Sequence, residues 1–306
     1  MSQNDKAVLT AAVGYVFTAA VGTARPSPSQ LSAIDAEAFG AQSYTVKSAG
    51  AATPFTLNVG AVPAPDPVPV EGASGAVVTS SKTTKTAART ATSELPADSG
   101  AAEVQAALEA LPEVGAGNVK VTGETVESGF TVAFIGSLHG TEVTLTATGA
   151  EATVLSAPNG WSTLGHTSRD ELPEFGFDGG DTEVRGTWQN ENLREVVTKP
   201  IADYLTLMLQ QFDTDAFELY YGKDASKAAG VFGVASGTAT PIEKALLIII
   251  VDGDTKIGFY SPKASVRRDE SISLATDEFA SLPVRATFLK HGSANKFEWI
   301  SEELFS

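Results

Sequence analysis

The sequence predicts a mainly β protein: an antiparallel sandwich or barrel with one flanking helix, interrupted by a small inserted α+β domain. Three observations carry this. Short apolar stretches that alternate with polar residues recur along the 306 residues, the period-two pattern of half-buried strands. Twenty-eight glycines and fifteen prolines supply the turns between them. Residues 41–159 differ from both flanks, with no tryptophan and only four of the 24 aromatics, Tyr44, Phe55, Phe130 and Phe134. A host domain of 1–40 plus 160–306, interrupted by 41–159, explains that contrast better than two domains in tandem, and the length allows two domains.

Residues 8–21 suit a strand or docked arm, and Pro26-Ser27-Pro28-Ser29 then forces an extended or turning segment. Leu31 to Phe39 reads as one or two helical turns ended by Gly40. Inside 41–159, strands are expected at Tyr44-Thr45-Val46 and Phe55 to Val59, followed by a Pro-rich tract, Val62 to Pro69, and a Thr/Ser/Lys-rich stretch to Ala91. Val104, Ala107, Leu108 and Leu111 fall at i, i+3, i+4 and i+7, the apolar stripe of a helix that Pro112 stops. Strand patterns follow at 119–121, 130–134 and 143–146.

In the host, strands are expected at Val184 to Trp188, at Leu193 to Thr198 and across Leu205, Leu207 and Leu209. Asp213 is placed to cap a short helix through Ala216, Phe217, Leu219 and Tyr220, terminated by Gly222. Ala245 to Val251 is an unbroken apolar run, too short to span a bilayer, that reads as a buried strand. Asp252-Gly253 turns it into Ile257-Gly258-Phe259-Tyr260. Further strands fit 263–268, 271–275, 282–289 and 296–300.

The net charge of -16 argues against gripping nucleic acid, which needs clustered Lys and Arg, and against adhesion to anionic membranes. Residues 41–159 hold eleven Asp/Glu against five Lys/Arg, a net of -6, which leaves -10 on the flanks. With no cysteine, disulfides and thiolate metal sites are excluded. The uncharged run Ala7 to Ala24 has the look of a leader, but the six residues before it are not net positive and polar residues break it.

Each chemical-looking group has a plainer reading. His166, Ser168 and Asp170 are triad residue types at i, i+2, i+4 on one strand face, yet no nucleophile elbow or oxyanion loop accompanies them. Phe177-Asp178-Gly179-Gly180-Asp181-Thr182-Glu183 lacks the ligand ladder of a calcium loop and reads as a glycine-dependent turn. Glu171 with Glu174 has the makings of a glycosidase pair, which so acidic a chain also supplies by chance. Arg267-Arg268 is expected to pair with Asp269 and Glu270 or with a neighbouring subunit, and Lys82 to Arg89 to be a solvated loop. No catalytic, cofactor-binding or metal-binding residue emerges, and no cofactor.

Several motifs occur in order. They are Gly22-Thr23 with Pro26, Trp161-x-x-Leu164-Gly165-His166-Thr167-Ser168, Glu174-Phe175-Gly176-Phe177-Asp178-Gly179-Gly180 and Gly186-Thr187-Trp188-Gln189. Tyr220-Tyr221-Gly222, the hairpin at 252 and Tyr260-Ser261-Pro262-Lys263-Ala264 follow. In these the flanks resemble the major tail (tail tube) proteins of long non-contractile-tailed bacteriophages infecting actinobacteria.

That resemblance implies a tail-tube-type β-sandwich or barrel whose subunits form homohexameric rings, with strands joined across subunits into one inner barrel. Stacked rings would conduct double-stranded DNA without binding it specifically. The implied partners are further copies, the tape measure protein, the tail terminator and distal tail proteins. The implied location is the virion tail, assembled in the host cytoplasm, with no membrane anchor and no catalysis. A folded insert in the lumen or between rings would block assembly, so 41–159 is expected on the outer wall, with residues 40 and 160 close together. There it would bind host-surface glycans weakly or stabilise the wall. The alternative is a secreted β-rich bacterial surface protein or adhesin; a third reading is a glycan-active enzyme using paired carboxylates.

Overall fold

The computed structural model describes residues 8–48, 53–60, 90–237, 241–274, 276 and 278–305. The chain begins with β1 (Val13–Ala19) and α1 (Pro28–Ala33). It continues through β2 (Ser43–Lys47), β3 (Thr56–Val59), β4 (Thr90–Ala91), α2 (Ala101–Glu109), β5 (Val119–Thr122), β6 (Phe130–Phe134), β7 (Leu145–Thr148) and β8 (Glu151–Ser156). Then come β9 (Ser162–Thr163), β10 (Glu174–Asp178), β11 (Thr182–Thr187), β12 (Asn190–Val197), β13 (Ala202–Leu209) and α3 (Thr214–Tyr221). The last elements are β14 (Ile242–Asp252), β15 (Thr255–Arg268), β16 (Leu282–Phe288) and β17 (Glu298–Ile300). The protein is mainly β and every strand pairing is antiparallel. Two compact units result, one formed by residues 1–36 and 160–306, the other by 37–159.

The first unit is built on an eight-stranded sheet, β10-β13-β16-β15-β14-β1-β9, with β17 also on β15. Its centre is the β14–β15 hairpin, turning at Gly253 with φ +59°. Ala245 to Ile249 are all buried, which explains the unbroken apolar run: both faces of β14 are covered. On one face Leu246 and Ile248 join Val16, Leu205, Leu207, Leu209, Val284 and Phe288 in a core capped by Ala216, Leu219 and Tyr220 of α3. Asp213 starts α3, its carboxylate accepting from Ala216 N at 2.9 Å, and Gly222 ends it with φ +95°. Leu31 of α1 packs over Gly258, where a Cβ would sit 3.1 Å from the leucine Cδ2.

The 37–159 unit has its own core. A four-stranded sheet, β5-β6-β2-β8, and a three-stranded sheet, β4-β3-β7, contribute Val46, Leu57, Val59, Val119, Phe130, Val132, Phe134 and Leu145, and α2 adds Val104 and Leu108. The inward residues alternate along β2, β3, β5 and β6, as a two-layer core requires. Tyr44 donates its hydroxyl to the Val143 carbonyl at 2.7 Å. The unit's two chain ends meet: β2 and β8 pair, Ser43 and Ser156 hydroxyls lie 2.6 Å apart, and Ser156 Oγ donates to Ala41 O at 2.9 Å.

Three local expectations are corrected, and one strand is new. The helix expected over 31–39 runs instead from Pro28 to Ala33. Ser27 Oγ accepts from Gln30 N while Gln30 Oε1 accepts from Ser27 N, and proline at the first helical position costs no hydrogen bond. The 263–268 strand is the second half of one 14-residue strand. Residues 271–274 are not a strand: after Asp269 N bonds Pro283 O the chain leaves the sheet, with only a Ser273–Ser281 bridge and Leu274 exposed. β8, unforeseen, is an exposed edge strand whose Val154 and Leu155 break the alternation. The Pro-rich tract from Val62 and the basic cluster Lys82 to Arg89 lie outside the described residues.

His139 makes the 37–159 unit sensitive to pH. Its Nε2 lies 2.7 Å from the Phe39 carbonyl oxygen, which can only accept, so Nε2 carries a proton. Burial pushes the imidazole pKa below its ordinary 6.5, partly opposed by that hydrogen bond. The unfolded chain therefore binds the second proton more readily. The stability this provides is present above pH 6.5 and lost as the pH falls through the folded pKa. Urea melts at pH 7.5 and pH 5 are expected to show this loss, and His139→Gln to flatten the difference.

Candidate self-assembly surface

Some of the motif residues, Gly22, Thr23, Trp161 and Tyr260, meet at one place in the 1–36/160–306 unit. Gly22 N donates to Pro262 O at 2.9 Å in a left-handed conformation, φ +83°. Trp161, 1% exposed, donates Nε1–H to Ala24 O at 3.0 Å, and the Tyr260 hydroxyl donates to Thr23 O at 2.8 Å. The two rings pack edge to face at 6.2 Å. Arg25 pairs with Glu298, whose carboxyl is held below its usual pKa first by the Asn295 amide 2.9 Å away and then by Arg25. Segment 22–26 is thus bolted to β15 and β17 by residues distant in sequence.

A second motif cluster secures the sheet end at β10. Tyr204 lies across Gly176, where a Cβ would come 2.5 Å from the ring carbon Cζ, so only glycine leaves room. The Arg285 guanidinium sits over the Tyr204 ring, 3.4 Å from its centroid, and pairs with Asp178 and, at 3.9 Å, with Asp269. Asp269 therefore faces Arg285, not the Arg267-Arg268 pair expected to meet it.

His166, Ser168 and Asp170 do not lie along a strand face. Thr167 forms a single bridge to Leu209. Ser168 Oγ is buried and accepts Glu171 N at 3.1 Å, closing a turn. Gly179 and Gly180, at φ +83° and +79°, form the turn between β10 and β11, with Gly180 N bonded to Lys199 O. Glu171 and Glu174 line a shallow surface pocket beside Leu172, Phe175 and Met208. Among the described residues no three His, Asp or Glu side chains gather to hold a metal ion. No described helix is long and apolar enough to cross a membrane.

Two features carry no further strand among the described residues, although Phe175 of β10 packs on Phe259 and Trp299 and the segment after β9 hydrogen-bonds to the end of β13 through His166 and Ser168. The main sheet ends in β10 on one side and two-residue β9 on the other, each paired on one side only; such edges are templates for further strands. The β11–β12 hairpin pairs with no other strand. Its cross-strand pairs place Val184, Leu193 and Val197, all more than half exposed, on one face together with Thr182 and Glu195, and Glu183, Arg185, Arg194 and Val196 on the other. Trp188, in its turn, is 98% exposed. The pattern over Val184 to Trp188 predicts Trp188 inside a strand, and nothing in it signals that the hairpin stands alone.

Strand edges and a hairpin that pair with no further strand among the described residues are features common to structural β subunits that associate. The chain belongs to the phage tail tube protein family, whose sequence profile matches residues 1–52 and 127–306. It is 51% identical over 147 residues to the major tail protein Gp23 of Mycobacterium phage L5, and 52% over 146 residues to that of Mycobacterium phage D29. Each match covers 48% of this chain and 73% of the relative. The family match reaches past the compositional break, taking in β2, β6, β7 and β8. As a member of this family the protein is a structural component of the virion tail, which favours the tail reading over a surface protein or a glycan-active enzyme.

Proposed function

We propose that this major-tail-type subunit forms hexameric rings whose β10 and β9 ends join between neighbours into one inner barrel, and that stacked rings conduct the phage DNA. The observation that carries this is the pair of open sheet ends together with the uncovered hairpin, since ring closure abolishes sheet edges. The β11–β12 hairpin is the arm that reaches the next ring. An acidic lumen repels DNA phosphates and keeps passage free of specific binding. Tape measure, terminator and distal tail proteins are its partners at the ends of the tube, assembled in the host cytoplasm, and the subunit works without catalysis. Negative-stain microscopy of the purified protein tests the reading: tubes or six-fold rings support it, and a persistent monomer at high concentration opposes it.

The 37–159 unit is proposed as an exterior decoration that binds host-surface glycans weakly or stabilises the wall. Its separate core and the closure of its ends at Ala41 and Ser156 support this, because such a module inserts into a loop with little disturbance. Joining residue 40 to residue 160 and deleting 41–159 is expected to leave tube formation intact, with narrower tubes in micrographs. A folded deletion variant that forms no tubes would place the unit inside the assembly machinery.

A further inference from the structure

In a chain of net charge -16, one groove of the 1–36/160–306 unit is basic. It encloses about 1410 Å³ where α3 ends beside the start of β14 and the end of β15, and Lys223, Lys244, Arg267 and Arg268 line it with Tyr221 and Val234. Glu243 is the one carboxylate in the lining, and it pairs with Lys263 at 2.9 Å. None of the four lining cations takes part in an ion pair among the described residues. The volume exceeds the roughly 300–1,000 Å³ usual for small-molecule pockets and suits a peptide segment.

A complementary segment lies at the far end of the same strand. Glu302 and Glu303 are exposed, followed by Leu304 and by Phe305 at 59% exposure. Thr255, the first residue of β15, donates to Glu303 Oε2 at 3.3 Å, whereas Arg267 and Arg268 are its last two residues. At ~3.3 Å per residue these ends stand roughly 40 Å apart along the strand. Four residues, fully extended, span only about 14 Å, so the segment does not reach the groove of its own subunit.

We propose that the groove receives the Glu302–Phe305 segment of a second copy, the two carboxylates meeting Arg267 and Arg268 and the Phe305 ring entering among the apolar side chains. This rests on the tube-subunit reading and names one of its contacts. Donor and acceptor are different surfaces at opposite ends of β15, so the contact is head to tail and repeats from copy to copy. It also gives a strongly acidic protein an attractive charge pairing with itself, which like-charge repulsion otherwise opposes.

The test is a charge swap in the full chain, read by sedimentation and negative-stain microscopy with circular dichroism as the check on folding. R267E/R268E and E302K/E303K are each expected to raise the concentration needed for assembly at least tenfold. The chain carrying all four changes is expected to assemble again. Since the protein has no cysteine, R267C with E303C should form disulfides between subunits in assemblies and none in dilute monomer. Wild-type tubes with reversals that assemble normally overturn the proposal and leave the tube reading standing. Folded reversals that block assembly without rescue by the swap overturn the pairing. Wild-type protein that never assembles overturns the tube reading and the proposal together.

Discussion

Replacing Trp161 by Ala is expected to lower the melting temperature of the 1–36/160–306 unit by roughly 6–20 °C. The side chain is among the largest fully buried ones, and removing a buried tryptophan costs about 3–5 kcal/mol through lost burial and the cavity left behind. In a unit of this size each kcal/mol shifts the midpoint by about 2–4 °C. The loss is also local. Trp161 Nε1–H is the donor to Ala24 O and its ring meets Tyr260, which holds Thr23 O. Without the indole, segment 22–26 keeps only one of its two aromatic anchors. Trp161→Phe retains much of the burial and lacks the donor, so it is expected to fall between wild type and Trp161→Ala in a calorimetric scan. A Trp161→Ala protein that melts like wild type would show that the 22–26 anchor is not part of the cooperative unit.

The fold was legible wherever a signal was local and periodic. The apolar run 245–251, the Asp252-Gly253 turn, the 104/107/108/111 stripe and the Asp213 cap each depend on neighbours within one turn or one hairpin, and each stands where the pattern places it. The failures depend on choices a local pattern does not contain. Pro26-Ser27-Pro28 reads equally as a turn or as a capped helix start, and the capping exchange between Ser27 and Gln30 decides it. Alternation over 271–275 is compatible with a strand, but among the described residues only the isolated Ser273–Ser281 bridge pairs it. The assembly surface was harder still. Motif residues such as Trp161, Gly176 and Tyr260 are conspicuous, yet they hold the subunit together, while the outward-facing Val184, Leu193 and Trp188 have the composition of core. If copies associate as proposed, those outward-facing residues are sequence signals for contacts that a single copy does not contain.

Trp188 is expected to behave in the opposite way to Trp161. Substituting Ala at a residue that is 98% exposed, in the turn of a hairpin that pairs with no other strand among the described residues, should leave the circular dichroism and melting temperature of the free subunit unchanged. Assembly is where the cost should appear. A lone two-stranded hairpin is marginal in water, and the Val184, Leu193 and Val197 face is the kind of uncovered apolar surface that marks a protein interface. A tryptophan anchor at such a surface contributes about 2 kcal/mol or more, close to a thirtyfold change in the concentration at which copies associate. Because every subunit in a tube would repeat the defect, Trp188→Ala is expected to abolish tubes at concentrations where wild-type protein forms them. Val184→Asp, which sets a second acid opposite Glu195 on the face shared by Leu193 and Val197 and leaves the turn intact, should do the same. Tubes of normal yield from both variants would remove the hairpin from the contact between rings and leave the strand edges to carry it.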